Sequence, residues 1–244
     1  MTEIVIITPI PKAIDTLVES SILRKALQKK VVKLKVLNLR DFGIGSYKKI
    51  DDKPYGGLHG MVLMAEPLSN AIDFSIKFLG GNQREIKIIF PSPQGKRWKQ
   101  KIASDLSTEK KIVFICGHYK GIDERIIEKY VTDEYSIGDF VLTAGEIPTM
   151  LMLDSIIRLV PGTLNNLDSA LSDSHSDSLL DHPYYTSPRE IFGSTVPKVL
   201  LSGHHLNIKS WQNSQKKRIT KLKRPDLFQE YEKLKKMEKS NEQA

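Results

Sequence analysis

Short apolar runs that alternate with stretches of helical period constrain this chain more than any other feature. Glu3–Thr8 is a compact β-branched run followed by Pro9 and Pro11. Ile14, Leu17, Val18, Ile22, Ala26 and Leu27 then recur at the spacing of one helix face. Val32, Leu34 and Val36 alternate with Lys33 and Lys35, the period of a half-buried strand. Leu68–Leu79 has helical spacing and meets a stop at Gly80-Gly81. Ile86–Phe90 and Ile112–Cys116 read as buried strands, with a helical stretch over Lys96–Leu106 between them. Glu146–Val160 is a long apolar helix closed by Pro161-Gly162. Strands that alternate with helices predict an α/β domain with a parallel sheet.

That pattern ends near residue 160. Residues 161–178 are rich in Ser, Asp and Asn, with apolar side chains only at Leu164, Leu167, Ala170 and Leu171. Such a stretch is expected to be an exposed, mobile linker. Beyond it, residues 179–244 turn helical and basic, with His204-His205 read as a helix start and a last helix led by Pro225. The expected organisation is therefore an α/β domain over 1–160, a linker over 161–178 and a small helical domain over 179–244.

Charge sharpens the division. The chain of 244 residues carries a net +8, and residues 204–244 hold 11 Lys or Arg against 5 Asp or Glu. A basic end of this kind suggests an anionic partner, most simply nucleic acid, although a solvated charged helix would look the same. Cys116 is the single cysteine, which excludes a disulfide framework or a multi-cysteine zinc site and fits a reducing, cytoplasmic setting. No apolar stretch approaches the roughly 20 residues of a membrane helix, so no membrane partner is expected. The run Ile4–Ile7 lacks the basic flank and length of a signal peptide.

Three strand-to-loop junctions could carry chemistry: Ser92-Pro93-Gln94-Gly95, Gly117-His118-Tyr119-Lys120-Gly121, and Ser136-Ile137-Gly138-Asp139 running on through Phe140-Val141-Leu142 to Ala144-Gly145. Ligands of open parallel sheets bind beyond the carboxyl ends of the strands, where glycines let backbone amides come close. Together the loops could line an adenosine-type pocket, or each could be an ordinary turn. Neither a strand-anchored G-x-G-x-x-G nor a P-loop occurs, which argues against a dinucleotide-binding fold. No histidine has H-E-x-x-H spacing, and Ser202 lacks a G-x-S-x-G frame, so no metal site and no hydrolase is expected. Asp51-Asp52-Lys53-Pro54-Tyr55-Gly56-Gly57 is either a substrate-gripping loop or a plain turn.

At these residues the chain resembles a known family. D-D-K-P-Y-G-G, S-P-Q-G, C-G-H-Y-x-G-I-D-E-R, S-I-G-D-F-V-L and R-L-V-P-G follow in the order found in tRNA (guanine-N1)-methyltransferases of the SPOUT superfamily. L-L-D-x-P-x-Y-T-x-P, V-P-x-V-L-L-S-G-x-H and R-P-D-L complete the series, which runs from the first strand to about Phe228. The resemblance implies a trefoil-knotted cofactor site, a homodimer with composite active sites and methyl transfer from S-adenosyl-L-methionine. The acceptor would be N1 of the guanine at tRNA position 37, next to the anticodon. It leaves room for a Mg2+ requirement. By motif, Ser92, Pro93, Gly117, Tyr119, Ser136, Ile137, Gly138, Asp139, Phe140, Val141, Leu142 and Gly145 would hold the cofactor. Asp51, Tyr55, Gly56, Gly57 and Gly60 would meet substrate.

Asp173 falls where the family has its general base, and Arg158 where it has a catalytic arginine. Without the resemblance they would read as a solvated loop acid and a helix C-terminal cation. The chemistry asks for such a pair. Guanine N1 is protonated at neutral pH, so a carboxylate must take that proton while a guanidinium answers the charge that develops on O6. A base on a mobile linker would become ordered when tRNA binds. Three positions depart from the family. Lys120 stands where a glutamate is usual, Leu58-His59 enlarges a loop that is usually Gly-Pro or Gly-Ala, and Ala144 replaces a glycine. A tRNA-binding protein of the same fold with little catalysis is therefore a second expectation, and a SPOUT enzyme acting on another RNA a third.

Overall fold

The computed structural model describes residues 1–19, 21–57, 59–164 and 173–241. The chain divides into two compact units, Met1–Leu167 and Asp168–Ala244. In the first unit β1 (Thr2–Thr8) leads to α1 (Lys12–Glu19), α2 (Ser21–Gln28) and β2 (Val32–Asn38). A two-residue pair, β3 (Asp51–Asp52) and β4 (Val62–Leu63), precedes α3 (Ala65–Phe78), β5 (Lys87–Arg97), α4 (Gln100–Ser107) and β6 (Lys111–Ile115). Then come α5 (Glu124–Tyr130), β7 (Asp133–Ser136) and α6 (Glu146–Ile157).

Five strands form one sheet in the order β2-β1-β6-β5-β7, with every pairing parallel. Successive residues of the central strands point to opposite faces. Val5, Ile7, Val113, Ile115, Ile88 and Phe90 join the cluster under α3 and α5. Ile4, Ile6, Ile112, Phe114 and Ile89, equally buried, take the other face. There α6 packs against α1, α2 and α4. Right-handed crossovers require this split: the connections through α1-α2 and α4 step across the sheet one way, those through α3 and α5 the other. The edge strand β2 is guarded by Lys33 and Lys35, whose ammonium groups lie 4.8 and 4.9 Å from the Phe78 ring centroid.

Several expected boundaries move. The periodic stretch over 14–27 forms two helices, the second beginning at Ser21, a residue type that favours helix ends over helix interiors. The third helix begins at Ala65, ahead of the expected Leu68, because Pro67 is tolerated in a first turn. The strand expected to end at Phe90 runs to Arg97, so Ser92–Gly95 is not a loop beyond the strand. It is an interruption inside β5, where the pairing with β7 slips between Pro91 and Lys96. Pro91 and Pro93 lack the N–H that a ladder needs. The following helix consequently starts at Gln100 rather than Lys96. The junction at Ser136 implied a strand but gave it no bounds: D-E-Y-S has no apolar run, and pairing with β5 makes it β7.

The second unit holds a hairpin, β8 (Glu190–Ile191) with β9 (Ser194–Thr195), then α7 (His205–Lys223) and α8 (Pro225–Asn241). Phe192 and Gly193 turn the hairpin with φ of 53° and 70°, the left-handed pair of a tight turn. α7 and α8 pack on each other, with Lys217 and Lys221 over the rings of Tyr231 and Phe228. Of the expected linker, residues 165–172 lie outside the described residues, and its two flanks differ from an exposed tether. Thr163 is buried in the first unit. Asp173–Ser178 belongs to a compact turn in the second: Ser176 N donates to the Asp173 carbonyl and His175 N to that of Leu179. Leu179 is buried, Leu180 N donates to Thr220 Oγ1 on α7 at 2.8 Å, and Asp181 N donates to Ser174 Oγ at 2.9 Å.

Candidate active site

A cleft enclosing about 290 Å³ opens beside the interruption in β5 and at the carboxyl ends of β6 and β7, the end of an α/β sheet at which ligands bind. Phe90–Pro93, Gly117–Gly121, Tyr135–Gly138 and Phe140–Gly145 line it, with Pro148 from the start of α6. All three motif segments therefore meet in one place, the first through Ser92 and Pro93 inside β5. Ser92, Pro93, Gly117, Tyr119, Ser136, Ile137, Gly138, Phe140, Val141, Leu142 and Gly145 all reach the cleft. Asp139 does not: its exposed carboxylate lies 3.9 Å from Arg97. Phe90, Pro91, His118, Lys120, Gly121, Tyr135, Thr143, Ala144 and Pro148 were not among the expected cofactor contacts. Their position within three residues of a candidate was the available signal.

The wall is largely bare backbone, for a steric reason. A Cβ on Gly145 would stand 2.5 Å from Gly117 N, and one on Gly117 would stand 2.8 Å from the Phe90 ring. Gly145 N instead donates to the Gly117 carbonyl at 2.8 Å, and Ala144 bridges to His118. Ser136 Oγ accepts from Gly138 N and donates to its carbonyl, closing the turn that carries Ile137 into the wall. Exposed apolar side chains at Phe140, Val141 and Leu142 complete a surface of apolar faces and main-chain polar groups. Such a surface fits an adenosine-type cofactor, with a flat apolar base and many hydrogen-bonding edges. Burial and the nearby Asp133 carboxylate push the Tyr135 phenol up to about 12, so it stays protonated at neutral pH.

Beneath the cleft sits a cluster that sequence reasoning did not single out. Glu146, 3% exposed, accepts from Thr8 Oγ1 and lies 2.7 and 2.9 Å from His118 Nε2 through its two oxygens. Burial raises the Glu146 carboxyl, but hydrogen bonds from His118 and Thr8 outweigh it and hold the group below its ordinary range. An acid opening an otherwise apolar helix was the sequence signal. Cys116, behind this layer, is fully buried, and burial lifts its thiol far above the usual range.

The substrate candidates occupy the excursion between β3 and β4. Asp51 pairs with Leu63, while Tyr55 is 99% exposed and Gly56, Gly57 and Gly60 all have positive φ. The returning limb adjoins the cleft: Lys120 N donates to the Met61 carbonyl, and a Cβ on Gly60 would touch Lys120 Cγ. Leu58 lies outside the described residues. Arg158 caps the far end of α6, ten residues beyond Pro148 of the cleft wall, which is about 15 Å of helix. Asp173 belongs to the second unit. Among the described residues no group of three or more His, Cys, Asp or Glu gathers to hold a metal ion, and no helix is long and apolar enough to cross a membrane.

Residues 2–230 match the family described as tRNA (guanine-1)-methyltransferase TrmD. A tRNA (guanine-N(1)-)-methyltransferase of Staphylococcus carnosus is 48% identical over 225 residues, which is 92% of this chain and 90% of that protein. One from Bacillus velezensis is 46% identical over 92% of this chain and 91% of its own length. One from Bacillus cereus is 45% identical over 96% and 94%. With a backbone-walled cleft where its motifs converge, and matched over nearly its whole length, the chain belongs to the tRNA (guanine-1)-methyltransferase TrmD family.

Proposed function

We propose that this protein transfers a methyl group from S-adenosyl-L-methionine to N1 of the guanine at tRNA position 37, next to the anticodon. The observation that carries the reading is the convergence of the three motif segments on one cleft, beside the interruption in β5 and at the carboxyl ends of β6 and β7. The names of the relatives state the same acceptor atom. When bound, the cofactor supplies an electrophilic methyl. Gly117 and the run Ile137–Leu142 hold it, mainly through backbone groups. The close packing of Gly145 on Gly117 supports a SPOUT-type knotted crossing at this point. Asp51, Tyr55, Gly56, Gly57 and Gly60 grip the substrate, Asp173 takes the N1 proton, and Arg158 answers the charge on O6.

The active site is composite in this reading. Arg158 stands a helix length from the cleft of its own chain, so a second copy must bring it there. α6 is apolar on nearly every side, yet Ile147 and Leu151, one turn apart, are 52% and 45% exposed. Phe140 and Val141 are exposed beside its start. A helix of this kind calls for a partner, and a homodimer supplies one. Residues 1–160 hold the cofactor, 161–178 connect, and 179–244 bind tRNA in a cytoplasmic setting.

A methyl-transfer assay on unmodified tRNA, with the product base identified by mass spectrometry, tests the reading. N1-methylguanine at position 37 is expected, and no transfer would overturn it. Adding EDTA to the same assay reports any Mg2+ requirement. The second reading, tRNA binding without turnover, is favoured by one observation: Lys120 lines the cleft where the family resemblance expects an acid. tRNA binding with no methyl transfer would decide for it.

A further inference from the structure

Glu146 is the buried acid that the proposed chemistry leaves unused. It opens α6 directly after Gly145, and its carboxylate joins three chain segments. Thr8 ends β1, His118 follows β6, and Glu146 itself starts the helix that closes the loop after β7. The Thr8 hydroxyl is held in turn, accepting from Ile10 N at 2.9 Å. Of the three side chains only His118 lines the cleft. Glu146 therefore acts on a ligand through the imidazole.

We propose that Glu146 is a positioning residue: its carboxylate fixes the ring of His118, and with it the loop Gly117–Gly121, in the arrangement that takes up cofactor. The inference rests on the cofactor-cleft reading and deepens it. An ionised carboxylate only accepts, so His118 Nε2 carries the proton, and in the neutral ring Nδ1 is an acceptor. Both the direction of the ring and its tautomer follow from Glu146. Main-chain contacts alone do not orient a side chain: Gly145 and Gly117 meet through backbone, and the Ala144 bridge holds only the main chain of His118. The next residue, Tyr119, has φ of 59°, a left-handed conformation that persists in a non-glycine residue only where its surroundings over-determine it. The charge-assisted bond that His118 donates to Glu146 is one such constraint.

The test measures binding of S-adenosylhomocysteine and S-adenosylmethionine to the full chain by calorimetry, without tRNA. Glu146→Gln keeps the shape but removes the charge. It is expected to weaken both ligands equally, by about tenfold or more, as loss of a charge-assisted hydrogen bond would. The His118 ring in 15N-histidine spectra should lose its uniform Nε2–H tautomer. In a His118→Asn background the same change should cost little, because the two residues act as one unit. Affinity within twofold of wild type, a loss confined to S-adenosylmethionine, or full additivity with His118→Asn would each overturn the proposal. Should Glu146→Gln fail to fold, Thr8→Val removes one donor from the same carboxylate and is expected to weaken binding about threefold; no change there overturns it too. If the wild-type chain binds neither ligand, the cofactor-cleft reading itself fails.

Discussion

Asp173 and Arg158 divide one proton transfer between them in the proposed reaction, and neither belongs to the three cofactor loops. Asp173→Asn keeps the side-chain shape and removes the base, so single-turnover methyl transfer is expected to fall about 100-fold or more. Arg158→Ala should cost a similar order, since a lost stabiliser of developing charge is worth about 3 kcal/mol. Calorimetry should find cofactor affinity nearly unchanged in both. The double variant should lose less than the sum, because both residues serve one step. Raising the pH should partly rescue Asp173→Asn, as more guanine loses its proton to solvent. A rate for Asp173→Asn equal to wild type at all pH values would remove Asp173 from the mechanism.

Among the elements, the segment that carries Asp173 is pinned to α7 by a short chain of contacts. Ser174 Oγ accepts from Asp181 N, and Leu180 N donates to Thr220 Oγ1. The Asp181 carboxylate accepts from the Tyr184 hydroxyl and lies 3.5 Å from the Lys216 ammonium. Burial tends to raise the Asp181 carboxyl, but these partners and the His182 N–H hold it below its ordinary range. Ser174→Ala should therefore slow methyl transfer about fivefold, the worth of a neutral hydrogen bond of about 1 kcal/mol, while cofactor and tRNA affinities stay level. Equal rates in a single-turnover assay would show that this bond does not place the base. The start of α8 answers to pH differently. The Arg224 side chain, forked onto Asp226 at 2.9 and 2.6 Å, pulls that carboxyl down to about 2. A lowered carboxyl adds stability that is fully present above its unfolded value near 4 and is lost as pH falls toward 2. Circular dichroism at falling pH should show part of the helical signal titrating in that window, and Asp226→Asn should remove that component. A helical signal with the same acid titration in both proteins would contradict this.

At the scale of the whole molecule, the length of α6 makes a geometric demand. If Arg158 serves the cleft of a partner, mixing Asp173→Asn with Arg158→Ala subunits separates two arrangements. Where Asp173 and Arg158 meet from different chains, one site of the heterodimer carries both lesions and the other neither, and activity returns. Where they come from one chain, every site keeps a lesion and the mixture stays inactive. Subunit exchange verified by mass spectrometry with no recovery would exclude a site shared in that way. The charge distribution makes a second demand. With 11 basic residues in its last 41, the chain should lose tRNA affinity steeply as salt rises, through release of counterions from the phosphates. A filter-binding affinity that stays constant from low to physiological salt would count against the basic end as the tRNA surface.

Sequence pattern determined the class of this fold. Glu3–Thr8 and Ile112–Cys116 are short apolar runs rich in β-branched residues, and it is their length and composition, with the Pro and Gly that follow them, that mark them as buried strands. Ordered motifs singled out eleven of the residues that now line the cleft. Tertiary structure decided what depends on distant partners. β7 exists because β5 pairs with it, since D-E-Y-S has no strand pattern of its own. β5 carries on past its prolines because the pairing resumes at Lys96. The Thr8–Glu146–His118 cluster joins residues up to 138 positions apart, and no local spacing encodes such a meeting. Asp139 shows the converse: placed between two residues of the cleft wall, Gly138 and Phe140, it turns outward to Arg97. Neighbours along the chain share a backbone path, but the packing of the other elements around them decides which side of it each one faces.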